Sequence, residues 1–251
     1  MPVTGPIRAV LFDLGYTLIN FVGDYKHVIG ESYLVLAQSL RAAGYKIDTQ
    51  EFARRFDQTI SDYYRARDED LIERPIELYL AQVLASFEIF DPLKNLIVNA
   101  LENMYRATER HWQLESDALS TLQALKGSGL RLGMITNAAN ANNANRLIDL
   151  FELRPFFELI LISAEEKIRK PDSRIYARAL AKLDLPAEQV VMVGDTLTAD
   201  ILGAQNAGLR AIWITRRADR PENHRVAGDI NPDAIIESLA DLQSVLQPLQ
   251  E

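Results

Sequence analysis

The chain has 251 residues, 48% of them hydrophobic and 25% charged, which is enough apolar material for a substantial core without cross-links. Its formal net charge of −8 argues against a nucleic-acid partner, because phosphate backbones need a basic surface. With no cysteine and only His27, His111 and His224, there is no basis for disulfides, thiolate nucleophiles, cysteine zinc sites or a histidine-rich metal site.

The start, Met1 to Arg8, lacks the basic opening and apolar stretch of a signal peptide, and the next run, Ala9 to Phe12, is far too short to span a membrane. A cytoplasmic protein with no membrane partner is therefore expected. That apolar run stops abruptly at Asp13-Leu14-Gly15, as a buried strand of a parallel sheet does. From about Ile19 to Trp112 no strand pattern is visible. Helical segments are expected there over Tyr25–Ala43, Thr49–Tyr64, Ile76–Ser86 and Asp91–Arg110, the last opened by Asp91-Pro92.

Beyond that stretch, apolar runs return at Leu132–Ile135, Leu159–Ile162, Val190–Val193 and Ala211–Ile214. Helical patterns separate them over Ala139–Leu150, Ser173–Leu183 and Thr198–Ala207. Alternating strand and helix predicts an α/β fold, a Rossmann-like doubly wound parallel sheet with helices on both faces. The expected organisation is a core of residues 1–18 and 113–251, with a helical domain of residues 19–112 inserted after the first strand. The tail from Pro232 predicts a last short strand at Ala234-Ile235-Ile236 and a docking helix through Leu246.

Open parallel sheets bind ligands beyond the carboxyl ends of their strands. The polar residues that follow the strands are Asp13, Thr136-Asn137, Lys170-Pro171, and Gly194-Asp195 with Asp200. Taken singly, each has an ordinary structural use as a cap, a turn or a solvated surface residue. An ordered set on successive strand ends is another matter. Three carboxylates crowd one pocket in ionised form only if positive charge compensates them. One Mg²⁺ and Lys170 would supply three positive charges against Asp13, Asp195 and Asp200, and oxygen ligands completed by water suit that ion. Asp13 could then attack a phosphoryl group whose oxygens are neutralised, with the Thr136 hydroxyl and nearby backbone N–H groups holding the others.

Phe12-Asp13-Leu14-Gly15-Tyr16-Thr17-Leu18 resembles the first motif of haloacid dehalogenase-like hydrolases. Ile135-Thr136-Asn137 and Lys170-Pro171-Asp172-Ser173-Arg174-Ile175-Tyr176 look like the second and third, and the stretch from Val193 to Ala204 is similar to the fourth. The resemblance covers essentially the whole chain, since the helical insertion sits where that superfamily carries its first type of cap. It implies Asp13 as nucleophile and metal ligand, Thr136 and Asn137 as substrate-binding residues, and Lys170 as the charge that neutralises the phosphoryl group. The metal shell, for Mg²⁺, would comprise Asp13, the Gly15 carbonyl, Asp195 and Asp200.

One position departs from the pattern. The superfamily's phosphatases place a second Asp, a general acid and then base, where this chain has Gly15. A carbonyl ligand survives that change and a proton donor does not.

The expected function is a Mg²⁺-dependent phosphatase acting on a small phosphorylated metabolite. A 2-haloacid dehalogenase is the alternative within the family, favoured by Gly15 because halide leaves unprotonated. A weakly active or non-catalytic binding protein is the alternative outside enzymology. A receiver domain is shorter and lacks the insertion, and no GxGxxG follows the first strand as a dinucleotide site would require.

Overall fold

The computed structural model describes residues 6–246; the first five residues of the N-terminal segment read above lie outside them. Six parallel strands form one sheet in the order β5-β4-β1-β6-β7-β8. They are β1 (Ala9–Phe12), β4 (Arg131–Thr136), β5 (Leu159–Ile162), β6 (Val190–Gly194), β7 (Arg210–Ile214) and β8 (Ala234–Ile236). The apolar runs become strands because both faces of the sheet are covered. Val10, Phe12, Leu132, Met134, Val191 and Val193 belong to one buried cluster, and Ala9, Leu11, Ile135, Leu161, Val190 and Met192 to the other. Alternate residues of each strand thus feed opposite cores.

Helices α1 (Tyr25–Ala42), α2 (Thr49–Asp70), α3 (Ile76–Ala85) and α4 (Lys94–Glu109) follow β1 and pack on one another around a third cluster built on Leu36, Leu40, Phe52, Phe56 and Leu80. Asp24 and Asp48 cap α1 and α2 by accepting the backbone N–H groups of His27 and Glu51. Two expectations shift here. α4 starts at Lys94, three residues after Asp91, and α2 runs on to Asp70, where Leu71 ends it in a left-handed conformation.

The absence of strands between Ile19 and Trp112 is corrected at its two ends. β2 (Ile19–Phe21) and β3 (Trp112–Leu114) pair antiparallel, Ile19 with Leu114 and Phe21 with Trp112, and so bring both ends of the helical stretch together beside β1. Each strand is three residues long, too short to show a period of two in the sequence.

The sheet's flanking helices are α5 (Ala118–Gly127), α6 (Ala141–Leu150), α7 (Ser163–Glu166), α8 (Ser173–Leu183), α9 (Gly203–Asn206), α10 (Pro221–His224) and α11 (Leu242–Leu246). Among the described residues no helix is long and apolar enough to cross a membrane.

Buried polar contacts tie the helical stretch to the sheet. Glu73, whose side chain is fully covered, accepts hydrogen bonds from the Tyr63 hydroxyl at 2.5 Å and the Ser163 hydroxyl at 2.9 Å. The guanidinium groups of Arg67 and Arg169 approach the same carboxylate at 3.4 and 3.5 Å. Ser163 opens α7 at the end of β5, so one carboxylate joins α2, the α2–α3 connection and the sheet. Glu73→Ala should cost about 2–4 kcal/mol, because the Tyr63 and Ser163 hydroxyls lose a buried acceptor and Arg67 and Arg169 are left with the exposed Asp68 as counter-charge. Urea unfolding monitored by circular dichroism reads the change.

Candidate active site

Asp13 follows β1, and its backbone N–H continues the ladder by donating to the Val193 carbonyl at 2.9 Å. The end of β1 therefore lies against the end of β6, with Phe12 opposite Val193 and Asp195 one residue past the strand. Asp200 arrives differently. It sits in a π-helical turn, Leu197–Leu202, entered from Thr196, whose backbone N–H bonds back to the Asp200 carboxylate at 2.9 Å. This wide turn replaces the expected α-helical start at Thr198 and folds the carboxylate back onto the strand end. A Cβ at position 194 would lie 2.3 Å from the Asp200 Cγ, so only glycine permits that approach.

Asp13, Asp195 and Asp200 each offer a carboxylate oxygen within 4.8 Å of the others, and all three residues are buried. Lys170, 2% exposed, lies between two of them, donating to Asp13 at 2.7 Å and to Asp200 at 2.5 Å. Its backbone is clamped by Asn137, whose amide donates to the Lys170 carbonyl at 3.0 Å and accepts its N–H at 2.9 Å. Asn137 thus spends both ends of its side chain on positioning Lys170. Thr136 closes β4, buried, in register with Ile162. Gly15 is bridged to Ile19, with the Trp112 indole beside it.

Two residues that sequence reasoning did not single out complete the site. Arg220, just before α10, places its guanidinium on the Asp195 carboxylate and 3.1 Å from the Thr196 hydroxyl. Asn223, 2% exposed, donates to the Asp195 carbonyl and the Ala218 carbonyl, both at 2.9 Å, and accepts the Leu197 N–H at 2.8 Å. It pins the loop after β7 to the loop after β6.

The electrostatics follow from burial. Desolvation raises the Asp200 carboxyl, Lys170 pulls it down, Asp13 pushes it up again, and it settles at about 6. For Lys170, burial disfavours the charge, but Asp13 and Asp200 outweigh it and hold the ammonium above its ordinary range. A carboxyl raised from 3.8 to about 6 keeps an extra proton in the folded state between those values. With chelator present, unfolding free energy should therefore fall as pH rises across that window. Asp200→Asn should flatten this segment of the stability–pH curve; an unchanged slope would assign it to other groups.

Three carboxylates against Lys170 and Arg220 leave one net negative charge on an all-oxygen donor set. That donor chemistry fits a hard divalent cation such as Mg²⁺, with Asp13, Asp195 and Asp200 as the carboxylates able to hold it.

The family model described as haloacid dehalogenase-like hydrolase matches residues 7–208. The zebrafish (Danio rerio) haloacid dehalogenase-like hydrolase domain-containing protein 3 is 28% identical over 250 residues, 96% of this chain and 97% of that one. A glyceraldehyde 3-phosphate phosphatase of Methanopyrus kandleri is 27% identical over 245 residues, covering 97% and 98% of the two chains. The crystal structure of a 2-haloacid dehalogenase from Pseudomonas syringae pv. Tomato DC3000 superposes with a TM-score of 0.70 at 27% identity, over 96% of this chain and 99% of that one. The chain belongs to the haloacid dehalogenase-like hydrolases.

Proposed function

We propose that the protein is a Mg²⁺-dependent phosphatase that hydrolyses a small phosphorylated metabolite through an aspartyl-phosphate on Asp13. The observation that carries this reading is the convergence of Asp13, Asp195 and Asp200 around the buried Lys170. A metal-free dehalogenase gains nothing from crowding two further acids beside its nucleophile, whereas a cation site needs them. A full-length phosphatase relative supports the same choice.

In this reading a carboxylate oxygen of Asp13 attacks phosphorus in line. The P–O bond to the leaving group breaks with its electron pair staying on the departing oxygen, which takes a proton from water. Water later attacks the phosphoaspartate, breaking its P–O bond to return the Asp13 carboxylate and release phosphate. When bound, the divalent cation supplies charge neutralisation between nucleophile and phosphoryl group. Lys170, fixed by Asn137 and Asp200, keeps an ammonium against Asp13 and presents positive charge to the incoming phosphoryl oxygens. Thr136 is assigned to hold one of these oxygens. Residues 19–112 are assigned as the cap that excludes water and selects the leaving group, over a core of residues 1–18 and 113–251.

Two observations favour the dehalogenase alternative: Gly15 carries no acid where halide needs none, and a solved 2-haloacid dehalogenase is as similar in sequence as the phosphatase relative. A screen of phosphorylated metabolites and 2-haloacids, with Mg²⁺ and with chelator, separates the two readings. Cation-dependent phosphate release is expected, and haloacid turnover indifferent to chelator would overturn the proposal.

A further inference from the structure

Arg220 is the cation that reaches the site from the loop after β7. Its guanidinium lies on Asp195, a residue 2% exposed and one of the three carboxylates able to hold a cation. The guanidinium also covers the Tyr16 ring at 4.6 Å and so spans the loops that follow β1 and β6. On its other side, Nε of Arg220 is 3.4 Å from the Glu222 carboxylate, which is about half exposed. The arm carrying it is not loose, because the buried Asn223 ties this segment to the Asp195 and Ala218 carbonyls.

We propose that Arg220 is a resident counter-ion of the cation site, held on Asp195 until a divalent cation enters and then released outward to Glu222. The proposal rests on the reading of Asp13, Asp195 and Asp200 as a cation site. The physical reason is competition for one charge. An Asp195 carboxylate already paired with a guanidinium attracts a divalent cation less. Even where the two take opposite oxygens, like charges then stand within the breadth of one carboxylate in a water-poor site. Arg220 therefore sets the affinity for the cation, and Glu222 sets how readily Arg220 lets go.

The two residues should act with opposite signs. Arg220→Gln removes the competitor, so the dissociation constant for Mn²⁺, read by electron paramagnetic resonance of the free ion in the chelator-stripped full chain, should fall at least about tenfold. Arg220→Lys keeps a charge without the planar fork and should fall between Gln and the unmodified protein. Glu222→Gln removes the outer partner and should raise the constant by up to about fivefold, the scale of an exposed ion pair. Asp195→Asn serves as the control for the underlying reading. If it leaves Mn²⁺ binding intact, the cation site itself is wrongly placed. If it removes binding while Arg220→Gln leaves affinity unchanged or weaker, the site stands and the role of Arg220 is overturned. Circular dichroism of each variant, matched to the unmodified protein, guards against loss of fold.

Discussion

Turnover should fall by at least about 10⁴-fold when Asp13 is replaced by Asn, measured as Mg²⁺-dependent release of phosphate from p-nitrophenyl phosphate. A neutral amide cannot attack phosphorus, and it withdraws one of the three negative charges that define the cation site. The substitution is close to isosteric and leaves Lys170 its contact with Asp200, so the fold should survive. Lys170→Ala is the harsher change. It leaves the buried carboxylates of Asp13 and Asp200 without a shared counter-ion and should lower stability by about 3–5 kcal/mol as well as activity. Retention of most activity by Asp13→Asn, with the protein folded, would move the chemistry to another site.

Asp13 and Asp195 were legible because a parallel sheet buried on both faces announces its strands as apolar runs and places the residues directly after them at one edge. Lys170, beyond α7, and Asp200, in the π-helical turn, reach that edge through the chain that follows the strand. Asn137 was legible as a position only. That its amide would be spent on the Lys170 backbone depends on how two loops meet, which no local pattern encodes. Arg220 shows the same limit more sharply. The loop after β7 holds Arg216, Arg217 and Arg220 within five residues, alike in sequence. The first two turn away to pair with Glu115 and Asp117, and only the third reaches Asp195. The path of the chain, set by Asn223 inside α10, decides among them. Glu73 escaped notice for a related reason: Glu73-Arg74-Pro75 reads as a solvated connection, and its burial arises from Tyr63, Arg169 and Ser163 arriving from elsewhere. The π-helical turn at Asp200 and the short strands β2 and β3 likewise depend on tertiary contacts rather than on periodicity.

Gly15→Asp should raise the turnover of alkyl phosphates by about 10²–10⁴-fold while changing aryl and acyl phosphates far less. The unmodified chain has no side chain at this position to protonate a departing alkoxide. Sugar phosphates should therefore be poor substrates beside p-nitrophenyl or acetyl phosphate, whose leaving groups are stable anions. The structure has room for the first side-chain carbon of the acid. A Cβ on Gly15 would meet only the Trp112 ring, at 3.6 and 3.9 Å, which is ordinary contact, and the backbone there is not in the left-handed region. The neighbouring indole also suits the chemistry. A carboxyl against an apolar ring is partly desolvated, which raises its pKa and favours the protonated form that a general acid needs. The same carboxylate, once it has given up its proton, can take one from the water that attacks the phosphoaspartate, so the second step should quicken too. Rates on p-nitrophenyl phosphate, acetyl phosphate and several sugar phosphates, compared between the two proteins, give the test. A gain shared equally by all substrates would place the limit in breakdown of the phosphoaspartate alone. Efficient hydrolysis of sugar phosphates by the unmodified protein would show that another side chain already delivers the proton, with Tyr16, next to Gly15 and covered by Arg220, the first to replace.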